Sequence, residues 1–211
     1  TNENIQESSL TISGGFGKFV LGQNDGASDN YGIDAEDVVG EEIQANAGVG
    51  LTLNDTDVHS ADGDSTKISY HIPAVGGLTA GVSFADSGTN NGTDTTAYGF
   101  RYTTEAAGSS VTIGGASATT EVSGAIDKDS QNLGIKIVNG PLSFIMSQST
   151  EEAADENQEM TGAALSYNMG NGMIVGAYTT DGDDSLDAGE EYTASGVEVQ
   201  YLSLIHISEP T

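Results

Sequence analysis

The connections between the β-strand patterns of this chain alternate in length, and this alternation limits the folds that the chain can adopt. Apolar and polar residues alternate in many short runs, which is the pattern of half-buried strands. Turns of two to five residues join some neighbouring runs, and long polar connections join the others. The pattern predicts about eleven strands, at residues 8–13, 16–23, 65–72, 77–86, 94–104, 109–117, 131–138, 141–149, 158–168, 172–180 and 191–201.

Strict alternation of short and long connections is typical of an up-and-down transmembrane β-barrel, which has tight turns at one end and long loops at the other. A soluble sandwich has no reason to follow this rule. The short turns are residues 14–15, 73–76, 104–108, 139–140 and 169–171, and the long connections are 24–64, 86–93, 118–130, 150–157 and 181–190. The sequence therefore predicts an all-β, antiparallel, up-and-down transmembrane barrel in which each strand pairs with its sequence neighbour.

The two faces of the predicted strands differ in the way that such a barrel requires. One face carries large apolar side chains such as Phe19, Ile68 and Phe100, whereas the other carries hydroxyl, amide and charged groups. We expect the apolar face to contact lipid and the polar face to line a water-filled lumen. A half-buried soluble strand is the alternative for any single run.

Composition excludes several classes of function. The chain has 5 Lys+Arg and 32 Asp+Glu, and a formal net charge of -27, which excludes a nucleic-acid-binding protein because phosphate contacts require basic residues. With no Cys there is no thiolate metal site, and no His has metal-ligand spacing. Glycine pairs lie in turns and not before a helix, so no phosphate-binding loop is predicted. We therefore expect neither an enzyme nor a required cofactor.

The stretch from Ser8 to Asp29 reads Gly-Gly-Phe-Gly, a short strand, Leu-Gly and then Asn-Asp-Gly-Ala-Ser-Asp. This order resembles the general porins of Gram-negative outer membranes, of the alphaproteobacterial type. The resemblance implies a homotrimeric outer-membrane channel for passive diffusion of ions and small hydrophilic solutes, surrounded by lipid and lipopolysaccharide. It also implies a barrel of about 16 strands, so we expect a partial barrel that lacks the first and last strands and forms an open arc.

Residues 24–64 hold eleven carboxylates and no Lys or Arg. By the resemblance, this is the loop that folds into the barrel and narrows the pore. Ile33 and other apolar residues of the loop need a surface to pack against, and the lumen wall offers one. A solvated outer loop is the alternative, and residues 44–53 are an alternative short strand. The candidate constriction residues are Asp34, Glu36, Asp37, Glu41 and Glu42.

Four of the five basic residues fall on the predicted lumen face, and Lys128 falls in a loop. A cation on the lipid face costs about 2–4 kcal/mol at the membrane midplane, so an inward position is expected. By the resemblance, these cations oppose the acidic loop and set a field across the pore. They are too few to cancel its charge, so we predict a preference for cations. His71 is interpreted as a lumen-lining residue. The four wall residues are Lys18, Lys67, Arg101 and Lys136.

Asp181, Asp183 and Asp187 offer oxygen ligands at short spacing, which makes Ca²⁺ the candidate ion of this loop. The loop lacks the glycine at position six and the glutamate at position twelve of an EF-hand, so a hydrated outer loop is the preferred interpretation.

Both ends of the chain depart from the barrel pattern. The first residues have no basic and no apolar region of a signal peptide, so we expect the chain to be mature or incomplete at its start. Residues 202–211 contain Ser-Leu-Ile-His-Ile-Ser-Glu-Pro-Thr, which resembles translated sequencing-adapter read-through. The partial barrel is therefore expected to span residues 1–201, and residues 202–211 to be an artefactual tail.

Two other functions use the same strand pattern. An outer-membrane adhesin or structural surface barrel would share every strand-level feature and would differ only in lacking an inward-folding loop. A soluble secreted acidic β protein, such as a solenoid with calcium-binding turns, would show a fixed repeat period, which the sequence lacks.

Overall fold

A computed structural model of the chain describes residues 8–35, 65–86, 93–122, 127–153, 156–184 and 190–201. These residues form eleven strands and a short helix, α1 (Ala27–Tyr31). No described helix is long and apolar enough to span a membrane. The strands are β1 (Ser9–Gly14), β2 (Gly17–Asn24), β3 (Ser65–His71), β4 (Leu78–Ala85), β5 (Thr93–Ala106), β6 (Ser109–Val122), β7 (Lys128–Asn139), β8 (Leu142–Ala153), β9 (Glu156–Asn168), β10 (Met173–Asp184) and β11 (Glu190–Tyr201).

All eleven strands belong to one antiparallel sheet, in sequence order from β1 to β11. Each strand pairs with its neighbour in the chain, as in the pairing of Ile12 with Phe19 and of Phe19 with Tyr70. The predicted all-β, up-and-down order is therefore confirmed. Within the part of the chain that the structure describes, β1 and β11 are the two edges and the sheet is not closed, as predicted for an open arc.

The short turns carry the backbone conformations that tight hairpins need. Between β5 and β6, Ala107 has φ 51° and Gly108 has φ 80°. Positive φ at both central residues defines a type I′ turn, whose twist matches that of the two strands it joins. A two-residue turn therefore fixes the register of the β5–β6 pair, from Ala106 opposite Ser109 to Thr93 opposite Val122.

Several strands extend further toward the long loops than the sequence predicted. β6 continues to Val122 and β7 begins at Lys128, so the prediction that Lys128 lies in a loop was wrong. On the outer face the added residues are polar, as at Thr119, Glu121 and Asp129, so the apolar alternation that marks a strand stops there. Polar side chains link the strands there: Thr119 donates to Asp129 at 2.6 Å, and in the same region of the sheet Gln148 donates to Glu159 at 2.6 Å.

The outer face of the sheet is apolar and exposed, and the inner face is small or polar and largely buried. Outward side chains such as Val197, which is 77% exposed, have no protein neighbour to cover them. An apolar belt of this kind is what a lipid-facing barrel wall requires. Its members include Phe19, Ile68, Val82, Phe84, Tyr98, Phe100, Tyr102, Leu133, Phe144, Met146, Leu165, Tyr167, Val197, Val199 and Tyr201.

Candidate functional site

The chain turns back onto the inner face of the sheet directly after β2. Residues 27–35, which we call the inward segment, comprise α1 and a short extended stretch. Ala27, Tyr31, Ile33 and Ala35 are all buried, at 7% exposure or less. The segment packs against β4, β5 and β6 through α1, and against β7 to β9 through Ile33 and Ala35.

The reach of the inward segment shows that the sheet is concave on this side. The Ala27 N–H is hydrogen-bonded to Ser83 on β4, and Ala35 lies against Gly162 on β9. Five strand spacings separate these two strands, or about 24 Å along a sheet. One helical turn and four extended residues span only about 19 Å. A segment that contacts both strands must therefore cross a curved wall, as it would inside a barrel.

Glycines on the inner face make room for the segment. A Cβ added at any of them would meet the segment at less than 3.0 Å. At Gly134, for example, it would lie 2.5 Å from the carbonyl oxygen and 2.6 Å from the Cβ of Ile33. The glycines lie at inward positions of β4, β5, β6, β7 and β9, and β8 contributes Ser147 between Gly134 and Gly162. This glycine track consists of Gly81, Gly99, Gly114, Gly134 and Gly162.

Neutral side chains of the wall bind the backbone of the segment. The Ala27 N–H donates to Ser83 Oγ at 2.8 Å, and the Ala35 N–H donates to Ser147 Oγ at 3.0 Å. Between them, the Ile33 N–H donates to Asn132 Oδ1 at 3.0 Å. Paired strands have no backbone groups to offer on their face, so side chains must supply these partners.

Arg101 binds the carboxyl end of α1. Its Nε donates to the Tyr31 carbonyl at 3.0 Å, and its guanidinium also donates to the Gly32 carbonyl. The last carbonyls of a helix have no partner within the helix and carry partial negative charge, which suits a cation. Arg101 therefore caps α1 from the barrel wall.

Tyr31 fixes the other side of α1. Its hydroxyl lies 2.8 Å from His71 Nδ1 on β3, in a buried hydrogen bond. Burial raises the pKa of the Tyr31 hydroxyl above its usual range, and the charge of Arg101 opposes this shift. The hydroxyl therefore stays protonated and available as a donor.

Apolar contacts complete the attachment. Ile33 and Ala35 form a cluster with Ile145 and Ala164 of the wall, against which Ile174 and Tyr178 pack. Ile145 lies on the inner face of the sheet and is fully buried beneath the segment. The expectation that Ile33 packs against the lumen wall is confirmed.

The chain matches a known family along nearly its whole length. The family described as Gram-negative porin matches residues 1–203. The chain belongs to this family. No curated protein matches the sequence.

Solved structures share the fold of this porin. OmpT of Vibrio cholerae, expressed in the outer membrane, aligns with a TM-score of 0.63 at 15% identity, over 93% of this chain and 65% of OmpT. A porin refined at 1.8 Å resolution aligns with a TM-score of 0.63 at 17% identity, over 92% of this chain and 70% of that one. In-vitro folded OmpT in its trimer form aligns with a TM-score of 0.52 at 16% identity, over 93% of this chain and 80% of that one. The chain thus spans about two thirds of the length of the first of these structures.

These findings assign this porin to the bacterial outer membrane and show that its strands form part of an outer-membrane barrel wall. The inner face is then the lumen face, and the inward segment lies within the lumen of the porin.

One predicted acidic site residue lies in the described part of the porin. Asp34 is 8% exposed, and its Oδ1 accepts a hydrogen bond from Asn132 Nδ2 at 2.9 Å. The structure therefore places Asp34 against the wall. The other predicted constriction residues, Glu36, Asp37, Glu41 and Glu42, lie outside the described residues, as does the alternative strand at 44–53.

The predicted basic residues all lie on the lumen face, but in different surroundings. Lys67 is 3% exposed and Arg101 is half-buried beneath the inward segment, whose carbonyls it binds. Lys18 is exposed and Lys136 is half-buried on β7. Lys128, at the start of β7, forms a salt bridge of 2.7 Å with Glu151.

Two of the three calcium candidates lie on a strand. Asp181 and Asp183 belong to β10, and Asp181 accepts a hydrogen bond from Thr193 at 2.8 Å. Asp187 lies outside the described residues. Among the described residues, no three His, Asp or Glu side chains are grouped so that they could hold a metal ion.

Sequence reasoning missed the residues that attach the inward segment. Asn132, Tyr31 and the glycine track were not singled out, because small and neutral residues were interpreted only as lumen lining. One pattern could have indicated them: glycine recurs at inward positions of successive strands, where a close approach of backbone is the usual reason for glycine in a strand.

Proposed function

We propose that this porin forms a water-filled channel for passive diffusion of ions and small hydrophilic solutes, with a preference for cations. The placement of the inward segment on the lumen wall carries the proposal. A barrel that serves only as an adhesin needs no segment inside it, whereas a diffusion channel uses one to set its width. Selectivity then comes from pore width and charge and requires no enzymatic chemistry.

Charge supports the preference for cations. The connection from residue 24 to residue 64 holds eleven carboxylates and no Lys or Arg, against four cations on the wall. One of those four, Lys67, is 3% exposed, and a second, Arg101, is half-buried and binds carbonyls of the inward segment, so only part of the positive charge of the wall stands in the water of the pore. Charges in a narrow pore are screened less than charges on an open surface, so passing ions respond to the acidic excess.

The complete protein in a planar bilayer tests the proposal. Under a gradient of dilute salt, the reversal potential should have the sign of a cation-selective channel. The selectivity should weaken toward molar salt, where the Debye length falls to about 3 Å. Exchanging Asp37, Glu41 and Glu42 for Asn or Gln should reduce the selectivity. An anion-selective reversal potential would refute the preference, and absence of conductance would refute the channel.

Lys136→Gln is the matched control for the wall. It removes one cation that the inward segment does not bind, so it should raise the cation preference without changing the attachment of the segment.

We also propose a homotrimer, surrounded by lipid and lipopolysaccharide. The exposed apolar belt supports contact with lipid and with neighbouring subunits, and in-vitro folded OmpT has been solved in a trimer form. Gel electrophoresis without heating should show a band of three times the monomer mass. Boiling should convert it to a band of the monomer mass. A monomeric band in both lanes would contradict the trimer.

A further inference from the structure

The side-chain amide of Asn132 makes more contacts with the inward segment than any single hydroxyl of the wall makes. Its Oδ1 accepts the Ile33 N–H at 3.0 Å, and its Nδ2 donates to the Ile33 carbonyl at 3.2 Å. Nδ2 also donates to Asp34 Oδ1 at 2.9 Å and to Ser149 Oγ at 3.0 Å. Two N–H donors are thus shared among three acceptors. Asn132 is 5% exposed, so no water replaces these contacts.

This geometry requires a primary amide of this length. The amide pairs with the N–H and C=O of Ile33 in the way that a neighbouring strand would. A carboxylate at position 132 keeps the acceptor but loses both donors, and it would stand beside the Asp34 carboxylate. Gly134, two residues further along β7, leaves the space that Ile33 needs. β7 therefore carries both the glycine that makes room for Ile33 and the amide that binds it.

We propose that Asn132 is the positioning residue that holds the inward segment against the barrel wall and thereby sets the width of the pore. The statement about width rests on the proposed channel function, whereas the statement about attachment does not. Without the amide donors, the buried C=O of Ile33 loses its partner, so the attached state of the segment becomes less favourable relative to a state in the lumen water. A segment that leaves the wall narrows the lumen.

Two measurements on the complete protein separate these statements. Hydrogen exchange of peptides within residues 27–35, in detergent micelles, reports attachment whether or not the protein conducts. Single-channel current in planar bilayers reports the width. In Asn132→Asp, exchange of the segment should rise by about tenfold or more, mean conductance should fall and current noise should rise. Exchange of the β8 and β9 peptides should not change, which excludes general loss of folding.

The chain offers a matched control and a rescue. Ser130 lies on the same strand, is 3% exposed, and donates to the Ala118 carbonyl and not to the inward segment. Ser130→Ala should therefore behave as the unchanged protein. The double variant Asp34→Asn, Asn132→Asp exchanges donor and acceptor at unchanged total charge, so it should recover part of the attachment.

Unchanged exchange in Asn132→Asp would overturn the positioning role. Faster exchange with unchanged conductance would overturn the statement that Asn132 sets the pore width. If the unchanged protein forms no channel, the proposed function fails, and the exchange measurement still decides whether Asn132 holds the segment.

Discussion

Replacing Gly134 with Ala would place a methyl group where the inward segment lies, and we expect it to push the segment off the wall. The added Cβ would stand 2.5 Å from the Ile33 carbonyl oxygen, whereas ordinary van der Waals contact begins at 3.4 Å. β7 cannot retreat, because it is paired with β6 and β8 on its two sides. The segment must therefore move by about 1 Å, since close-packed interiors cannot absorb such an overlap.

This displacement has a cost that can be estimated. Overpacking by one methyl group costs about 1–3 kcal/mol. The bond from the Ile33 N–H to Asn132 is already 3.0 Å long, and a shift of this size takes it beyond hydrogen-bonding distance. The attached state of the segment should therefore become roughly 5-fold to 150-fold less favourable.

Hydrogen exchange of residues 27–35 and single-channel conductance measure the effect of Gly134→Ala. Exchange should be faster and conductance lower, while the heat stability of the barrel should change little. Gly15→Ala is the matched control, since a Cβ there meets nothing within 4 Å. If Gly134→Ala left both the exchange and the conductance unchanged, the close packing of segment and wall would be wrong.

Two further predictions concern the helix cap and the lipid face. Arg101→Gln should loosen the carboxyl end of α1, and Arg101→Lys should restore the charge but not the two-carbonyl contact, so exchange of residues 27–32 should rise in both variants. Leu165→Arg should lower the stability of the inserted barrel by about 2–4 kcal/mol in a denaturant titration, because Leu165 is an outward residue of the apolar belt. Thr161→Arg, on the same face of β9 but beyond the belt, is its control and should have little effect.

The strand order could be predicted from the sequence because two local properties determine it. Alternating side chains define the faces, and the lengths of the connections define which neighbours are hairpins. The end of β6 and the start of β7 could not be predicted, since their outward residues, such as Thr119 and Asp129, are polar and lie beyond the apolar belt. Periodicity detects only strands whose two faces contact different media.

The attachment of the inward segment could be predicted only in part. Ile33 was expected on the wall because the apolar residues of an acidic loop need cover, and it is 4% exposed there. Its partner Asn132 could not be identified, because the partner of a loop residue depends on how far the loop travels around the wall. Ile145 also escaped prediction, since the cover that the segment gives it depends on the same path of the loop around the wall.

The way in which wall side chains hold the segment follows from a limitation of a β-sheet. Every strand between the two edges uses its backbone N–H and C=O groups in hydrogen bonds to its neighbours. A segment that crosses the face of the sheet can therefore be held only by side chains. Short side chains such as Ser147 and Asn132 hold the segment close, and Arg101 reaches the helix end where partial negative charge collects. The guanidinium of Arg101 thus lies under the segment and binds two of its carbonyls. The helix end of the segment is therefore held by a charged side chain, and the extended stretch after it is held by neutral ones.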